Sequence, residues 1–345
     1  MVTTKPYTIE VSQDVLDDVQ ERLRRTRWPG EIRGTGWTRG ADMSYMQELV
    51  EYWLDEYDWR KEEADLNRFA HFKADVDGLG IHFVREEGKG PVPMPLFMMH
   101  GYPWSFTMLL KIIPMLTDPA AHGGDPEDAF TVVVPSLIGF GFSDYPMQQG
   151  FGFQHHPDKY DKLMTEGLGY ERYGIEGGDW GGFITAPYGF LRPDNLIGIH
   201  LNCLFPRISD ERSPEEKDPD ILRGLGMKWA PLKPEDPDML RYWKNVEAYW
   251  IDEGGYAHVQ MTRPQTLSYA VTDSPVGMAA WIVEKFRAWS GWGDDFEQLF
   301  SKDMLITNVL LYWVTNSFWS AIRLYSESYY TPWELLPGQR IEVPT

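Results

Sequence analysis

Between residues 10 and 27 the apolar positions Val11, Val15, Leu16, Val19 and Leu23 recur three and four apart among charges, the spacing of an amphipathic helix. Trp28-Pro29-Gly30 ends that pattern. A loop rich in glycine and tryptophan (Gly34, Gly36, Trp37, Gly40) comes next, and helical spacing returns over Met43 to Glu56 and from about Trp59 to Phe69. The period then shortens. Residues 72–76 and 81–85, joined by Asp77-Gly78-Leu79-Gly80, read as a β-hairpin. Beyond it, short apolar runs at Leu96 to Met99, Phe130 to Val134, Tyr173 to Glu176 and Leu196 to Leu201 alternate with helical stretches at Ser105 to Leu116, about Pro157 to Leu168, and up to about Leu191. Buried runs alternating with helices predict the α/β class, a mostly parallel sheet with helices on both faces.

From Pro206 the pattern changes. Pro206 to about Pro237 is charged and punctuated by proline, and the acidic Asp210 to Asp220 run reads as a solvated approach to the helices beyond it. Those helices, rich in Trp, Tyr and Met, run from about Met239 to Tyr330, interrupted near Pro264, Pro275 and Gly291-Trp292-Gly293. With no buried-strand pattern over this length, a helical insertion covering the active end of the sheet is expected. Arg340 to Pro344 reads as the start of a further strand, so the core reads as incomplete at Thr345. The expected division is therefore an N-terminal helical meander over 1–71, the first part of an α/β core over 72–205, a helical cap over 206–333, and the start of a returning core strand over 334–345.

Composition narrows the partners. Among 345 residues, 52 are acidic and 32 basic, giving a net charge of −20, which argues against nucleic acid and anionic membrane surfaces. Cys203 is the sole cysteine, so no intrachain disulfide can form and a reducing compartment fits. No apolar run reaches membrane length, and a soluble, cytoplasmic protein is expected. His155-His156 lacks converging ligands and reads as solvated, so no metal and no cofactor are expected.

The chemistry centres on Gly177-Gly178-Asp179-Trp180-Gly181-Gly182. Glycines two before and two after an apex suit a strained strand-to-helix turn, because a Cβ at either place would collide with the neighbouring strand or helix. An aspartate at such an apex could be a mere acidic turn residue, but a carboxylate ionised at neutral pH can also attack an electrophilic carbon with no base to assist it. Ligands of α/β sheets sit beyond the carboxyl ends of the strands, where Asp179, the Tyr102 loop and the loop from Ser136 to Asp144 all fall.

Several segments together, spread over nearly the whole chain, resemble the α/β-hydrolase-fold epoxide hydrolases, in particular the microsomal-type branch with an N-terminal meander. They are Arg27-Trp28-Pro29, the run from His100 to Phe106, Gly139-Phe140-Gly141-Phe142-Ser143, Gly178-Asp179-Trp180-Gly181, Asp273-Ser274-Pro275-Val276-Gly277 and Leu311-Tyr312-Trp313. The resemblance implies a two-step hydrolysis of an epoxide to a vicinal diol. Asp179 would open the ring and form an ester. Tyr256 and Tyr325 would hold and protonate the ring oxygen, although 18 tyrosines and 15 tryptophans make aromatic packing the default role for any one of them. Backbone N–H groups of Tyr102 and Trp180 would form the oxyanion hole, while His100 would be structural. A histidine oriented by a carboxylate would then direct water onto the ester.

The family places that histidine and carboxylate beyond the strand beginning at Arg340, whereas all eight histidines here lie upstream of it. A further C-terminal segment carrying both is expected, and the chain as given should alkylate without turning over. The aromatic cap suits an aryl or alkyl epoxide, with a role in aromatic hydrocarbon catabolism or detoxification; the partners implied are that epoxide and water, and a homodimer is compatible. Two alternatives stay open. A haloalkane dehalogenase uses the same aspartate, though it usually has asparagine where Tyr102 stands, and a binding homologue could keep the pocket without turnover.

Overall fold

The apolar runs at Leu96, Phe130 and Tyr173 become the centre of one sheet in the computed structural model, which describes residues 2–202, 237–336 and 338–345. The strands are β1 (Thr3–Pro6), β2 (His71–Val76), β3 (Leu79–Glu86), β4 (Met94–Met99), β5 (Phe130–Pro135), β6 (Tyr173–Gly177) and β7 (Leu196–Leu201). They lie in the order β1-β2-β3-β5-β4-β6-β7. β5, β4, β6 and β7 pair in parallel, and β1, β2 and β3 add an antiparallel flank, so five of the seven strands point the same way. Val132, Val133 and Val134 of β5 are wholly buried, as a run covered on both faces requires.

The order of strands fixes where a site can form. From β4 the chain steps outward to β5, then crosses back over β4 to β6 and on to β7. With right-handed crossovers, that reversal puts α4 (Thr107–Leu110) and α5 (Ile113–Thr117) on one face of the sheet, and α6 (His156–Lys162) and α7 (Trp180–Leu191) on the other. The connections leaving β4 and β6 diverge, which opens a crevice between two adjacent strand ends. The loop after β4 begins at His100 and the turn after β6 holds Asp179.

Ahead of the hairpin, α1 (Gln13–Arg24), α2 (Met43–Asp55) and α3 (Trp59–Leu66) bury the faces that their spacing predicts, with Val19 and Leu23 from α1 and Met46, Leu49, Val50 and Trp53 from α2. After residues 203–236 come α8 (Pro237–Glu253), α9 (Gly255–Thr262), α10 (Pro264–Val271), α11 (Pro275–Ser290), α12 (Lys302–Val314) and α13 (Phe318–Tyr330). The expected interruptions are helix boundaries. Pro264 and Pro275 open α10 and α11, where a missing N–H costs nothing, and Gly291 closes α11 at φ 74. α9 packs against α13, which brings Tyr256 and Tyr325 together.

Two expectations need correction, and one strand is unforeseen. The edge strand β1 was not predicted; four residues including Lys5 and Pro6 carry no alternation, and their strand character comes from pairing with β2. The Ser105 to Leu116 helix is two short helices, because Pro114 has no N–H to offer a continuous ladder. Residues 340–344 form no strand, although the N–H of Ile199 donates to the carbonyl of Pro344 at 2.8 Å. The expectations for Cys203, for Asp210 to Asp220 and for most of Pro206 to Pro237 fall outside the described residues.

The elbow glycines are required by contact. A Cβ on Gly177 would overlap the carbonyl of Gly181, and a Cβ on Gly181 would overlap the carbonyl of Met99 on the neighbouring strand, both of them backbone atoms that cannot swing away. Gly181→Ala should therefore lose roughly 3 kcal/mol or more. Gly255→Ala, whose added Cβ meets open space, should be neutral or slightly stabilising. Thermal denaturation of the two variants beside the parent checks this.

Candidate active site

Asp179 stands between β6 and α7 with φ 50 and ψ −120, outside the conformations an ordinary residue adopts. Such a backbone costs of order 1–3 kcal/mol and persists only where its surroundings over-determine it. Here the N–H of Gly181 donates to the carbonyl of His100 at 3.1 Å, and the N–H of Phe183 donates to the carbonyl of Asp179 at 3.0 Å. The turn is thus tied both to the loop after β4 and to its own helix.

That loop closes onto the carboxylate. The N–H of Tyr102 donates to Oδ1 of Asp179 at 2.8 Å, and the N–H of Trp180 also hydrogen-bonds the carboxylate. The approach needs glycine at 101, because a Cβ there would run into the Asp179 side chain. Burial pushes the Asp179 carboxyl up from 3.8 to about 6, against the two N–H groups, which pull it down.

Two phenols lie close enough for the charge of this carboxylate to act on them. Tyr256 comes from α9 and Tyr325 from α13, with ring centroids 6.0 Å apart at 80° and a hydrogen bond between their hydroxyls. The Tyr102 ring lies parallel to Tyr256, 6.2 Å away at 4°, and edge-on to Tyr325 at 5.6 Å. The Trp180 ring stands 4.7 Å from Tyr325. Burial, then the Asp179 charge, drives Tyr256 well above the usual phenol range; burial, then Tyr256 and Asp179, does the same to Tyr325. Both phenols remain protonated donors at any physiological pH.

Further residues brace the site. Gln260 Nε2 donates to the Tyr102 hydroxyl at 2.9 Å, Asn308 Nδ2 donates to the carbonyl of Pro103 at 2.8 Å, and the Tyr312 hydroxyl donates to the carbonyl of Trp104 at 2.6 Å. The Gly139–Ser143 loop is fixed to the start of α13, with the N–H of Gly141 donating to Ser317 Oγ at 3.1 Å and Ser320 Oγ donating to the carbonyl of Gly139 at 2.6 Å. Of these side chains the sequence marks only Tyr312, within Leu311-Tyr312-Trp313, and gives it no role of its own. The available signal was that Gln260 falls four residues after Tyr256, on the same helix face.

The histidines divide. His100 accepts the N–H of Leu137 on Nε2 at 3.1 Å and has Nδ1 3.1 Å from the carbonyl of Gly101; burial pushes it down to about 4. Both of its nitrogens are engaged, in keeping with a structural part. The expectation that His155 and His156 are solvated holds for His155 alone. His156 is fully buried against Phe151 and Tyr160, because the chain before α6 folds Phe151 over it, and burial lowers it to about 4. No group of three metal-ligating side chains occurs among the described residues, and no helix among them is long and apolar enough to cross a membrane.

An aspartate elbow, a facing loop of N–H donors and helices laid over the strand ends define an enzyme of the α/β-hydrolase fold, and the family model for that fold matches residues 94–227. The model for the epoxide hydrolase N terminus matches residues 4–109. A homologue from Stigmatella aurantiaca, whose name carries the words epoxide hydrolase, is 42% identical over 94% of this chain and 69% of its own. Epoxide hydrolase 1 of Oryctolagus cuniculus is 34% identical over 94% of this chain and 72% of its own. Among solved structures, the juvenile hormone epoxide hydrolase of Bombyx mori superposes with a TM-score of 0.79 at 29% identity, covering 100% of this chain and 80% of that one. The Aspergillus niger epoxide hydrolase superposes at 0.73 and 28% identity, covering 94% and 78%. The chain belongs to the epoxide hydrolase family.

A carboxyl whose pKa rises on folding weakens the folded state at high pH. For Asp179 the cost is complete above about 6 and fades as pH falls toward 3.8. Asp179→Asn should thus raise thermal stability at pH 8, by up to roughly 3 kcal/mol. The gain should shrink as the pH is lowered to 4. Paired melting curves of parent and variant across that range check both the sign and the window.

Proposed function

We propose that Asp179 is the nucleophile of this epoxide hydrolase and that Tyr256 and Tyr325 activate the ring oxygen. What carries this reading is the 2.8 Å bond from the Tyr102 N–H to a buried carboxylate whose charge acts on two protonated phenols. An oxygen of the carboxylate attacks one ring carbon as the C–O bond of the strained ring breaks, and a phenol proton passes to the leaving oxygen. A free alkoxide is far too basic to leave unaided, so a neutral donor that keeps its proton near pH 7 is what the step needs. Two phenols in contact can share that charge. Once the ester has formed, the N–H groups of Tyr102 and Trp180 already bracket the oxygen that turns negative when water adds.

The cluster of aromatic rings from Tyr102, Trp180, Tyr256 and Tyr325, with Trp289 packed against Tyr256, favours an apolar aryl or alkyl epoxide. We assign residues 206–333 the role of a cap that brings the two phenols over the sheet, residues 1–71 that of a meander, and 72–205 with 334–345 that of the core.

Incubation with styrene oxide, read by intact-mass and peptide mass spectrometry together with diol analysis, separates the two halves of the reaction. Ester on Asp179, with or without diol, supports the reading; neither adduct nor diol overturns it, as does an Asp179→Asn variant as active as the parent. Tyr256→Phe and Tyr325→Phe should each slow ester formation about 10- to 100-fold, and the double variant should be slower than either. The rate of ester formation should climb as pH rises through about 6, where Asp179 ionises, and then stay level.

A further inference from the structure

We propose that Gln260 is a positioning residue for ester formation: acting through the Tyr102 ring, it fixes the backbone N–H that holds Asp179 and locks the oxyanion loop to the helix carrying Tyr256. This rests on the roles assigned above to Asp179 and Tyr256.

The connection is short and buried throughout. Gln260 is 0% exposed and Tyr102 2% exposed. From Gln260 Nε2 it is 2.9 Å to the Tyr102 hydroxyl, and from the Tyr102 N–H, at the other end of the same residue, 2.8 Å to Asp179 Oδ1. Gln260 lies one helical turn beyond Tyr256 on α9, so one helix face presents both groups to Tyr102. The Tyr256 ring lies parallel to the Tyr102 ring and the Gln260 amide holds its far end. Asn308 and Tyr312 grip the carbonyls of Pro103 and Trp104, the next two residues of the loop. Gln260 is the residue on α9 that grips Tyr102 itself.

A second observation separates positioning from stability. Gln260 Oε1 is buried and has no hydrogen-bond partner. An unpaired buried acceptor is unfavourable, so the amide as a whole adds little to folding, and an apolar side chain of similar length would remove a penalty along with the useful bond. The amide has value chiefly through where it puts Tyr102. Loosening that ring would let the N–H drift from the carboxylate. Attack geometry would suffer, and the charged form of Asp179 would lose one of its two stabilising donors. The titratable neighbours of Asp179 are Tyr102, Tyr256, Tyr312 and Tyr325, all pushed upward by burial, with the Glu284 charge reaching Tyr102. The low-pH limb of the rate therefore follows Asp179.

The test is rapid-quench measurement of ester formation on the 345-residue chain with excess styrene oxide, from pH 5 to 9. It compares the parent with Gln260→Met, Tyr102→Phe and the double variant. Gln260→Met should melt within a degree or so of the parent, slow ester formation about tenfold, and shift the half-maximal pH upward. Tyr102→Phe keeps the N–H but loses the gripped hydroxyl, and it should reproduce both effects. The double variant should be no slower than the worse single one, since both cut the same connection. Parent-like rate and pH profile in Gln260→Met, or losses that multiply in the double variant, overturn the inference while leaving the proposed function standing. If Gln260→Met melts early, Tyr102→Phe decides: an unchanged rate and profile there overturn it. A parent that forms neither ester on Asp179 nor diol sinks the proposed function and this inference together.

Discussion

The N–H of Tyr102 donating to Asp179 is the contact on which the site depends. It joins the loop after β4 to the turn after β6, and those two strands are neighbours only because the chain reverses direction across the sheet between them. Everything around this bond serves close approach. Glycines at 101, 177 and 181 are the points where a Cβ would strike backbone or the carboxylate itself, and the positive φ of Asp179 turns its side chain toward the loop. Local strain at the apex is held in place by sheet and helix packing on both sides.

The helices from 237 to 330 meet this frame at the same bond. α9 reaches it through Gln260 and Tyr256, α12 through Asn308 and Tyr312, and α13 through Tyr325 and the two serines that hold the Gly139–Ser143 loop. Side chains from three helices thus converge on loops that carry backbone donors. Shifts between the helical layer and the sheet would misplace both phenols and the N–H groups at once, so hydrogen bonding across this boundary matters more for geometry than its modest net energy indicates.

How much of this could be read from the chain depends on the range of the forces involved. The elbow was legible because its constraint is local: Gly177 and Gly181 are each two residues from Asp179, and the clash they avoid involves backbone that any strand-turn-helix unit carries. Buried strands such as Val132 to Val134 were legible for the same reason. Tyr256 and Tyr325 stand 69 positions apart among many aromatic residues, and no periodicity in the chain marks them; only resemblance singled them out. Gln260 and Asn308 escaped notice because their partners are a ring and a carbonyl more than a hundred residues away. His156 was misread, since burial by Phe151 is a tertiary event that a pair of histidines before a proline does not signal. β1 owes its strand character to β2 and to no preference of its own.

The electrostatics of the site form a single arrangement. One desolvated pocket acts on both kinds of acid in the same sense, raising the carboxyl and raising the phenols, because burial penalises the charged form of each. If burial acted alone, Asp179 would drift further toward a neutral acid. The N–H groups of Tyr102 and Trp180 oppose that drift for Asp179, whereas the carboxylate charge adds to the rise for Tyr256 and Tyr325. The two kinds of group are thereby driven apart, leaving a broad pH interval in which the aspartate is ionised and both phenols hold their protons. Under the proposed roles, nucleophile and proton donor coexist there in the forms ring opening needs. Removing water strengthens the donors, and the backbone N–H groups keep the same step from neutralising the carboxylate.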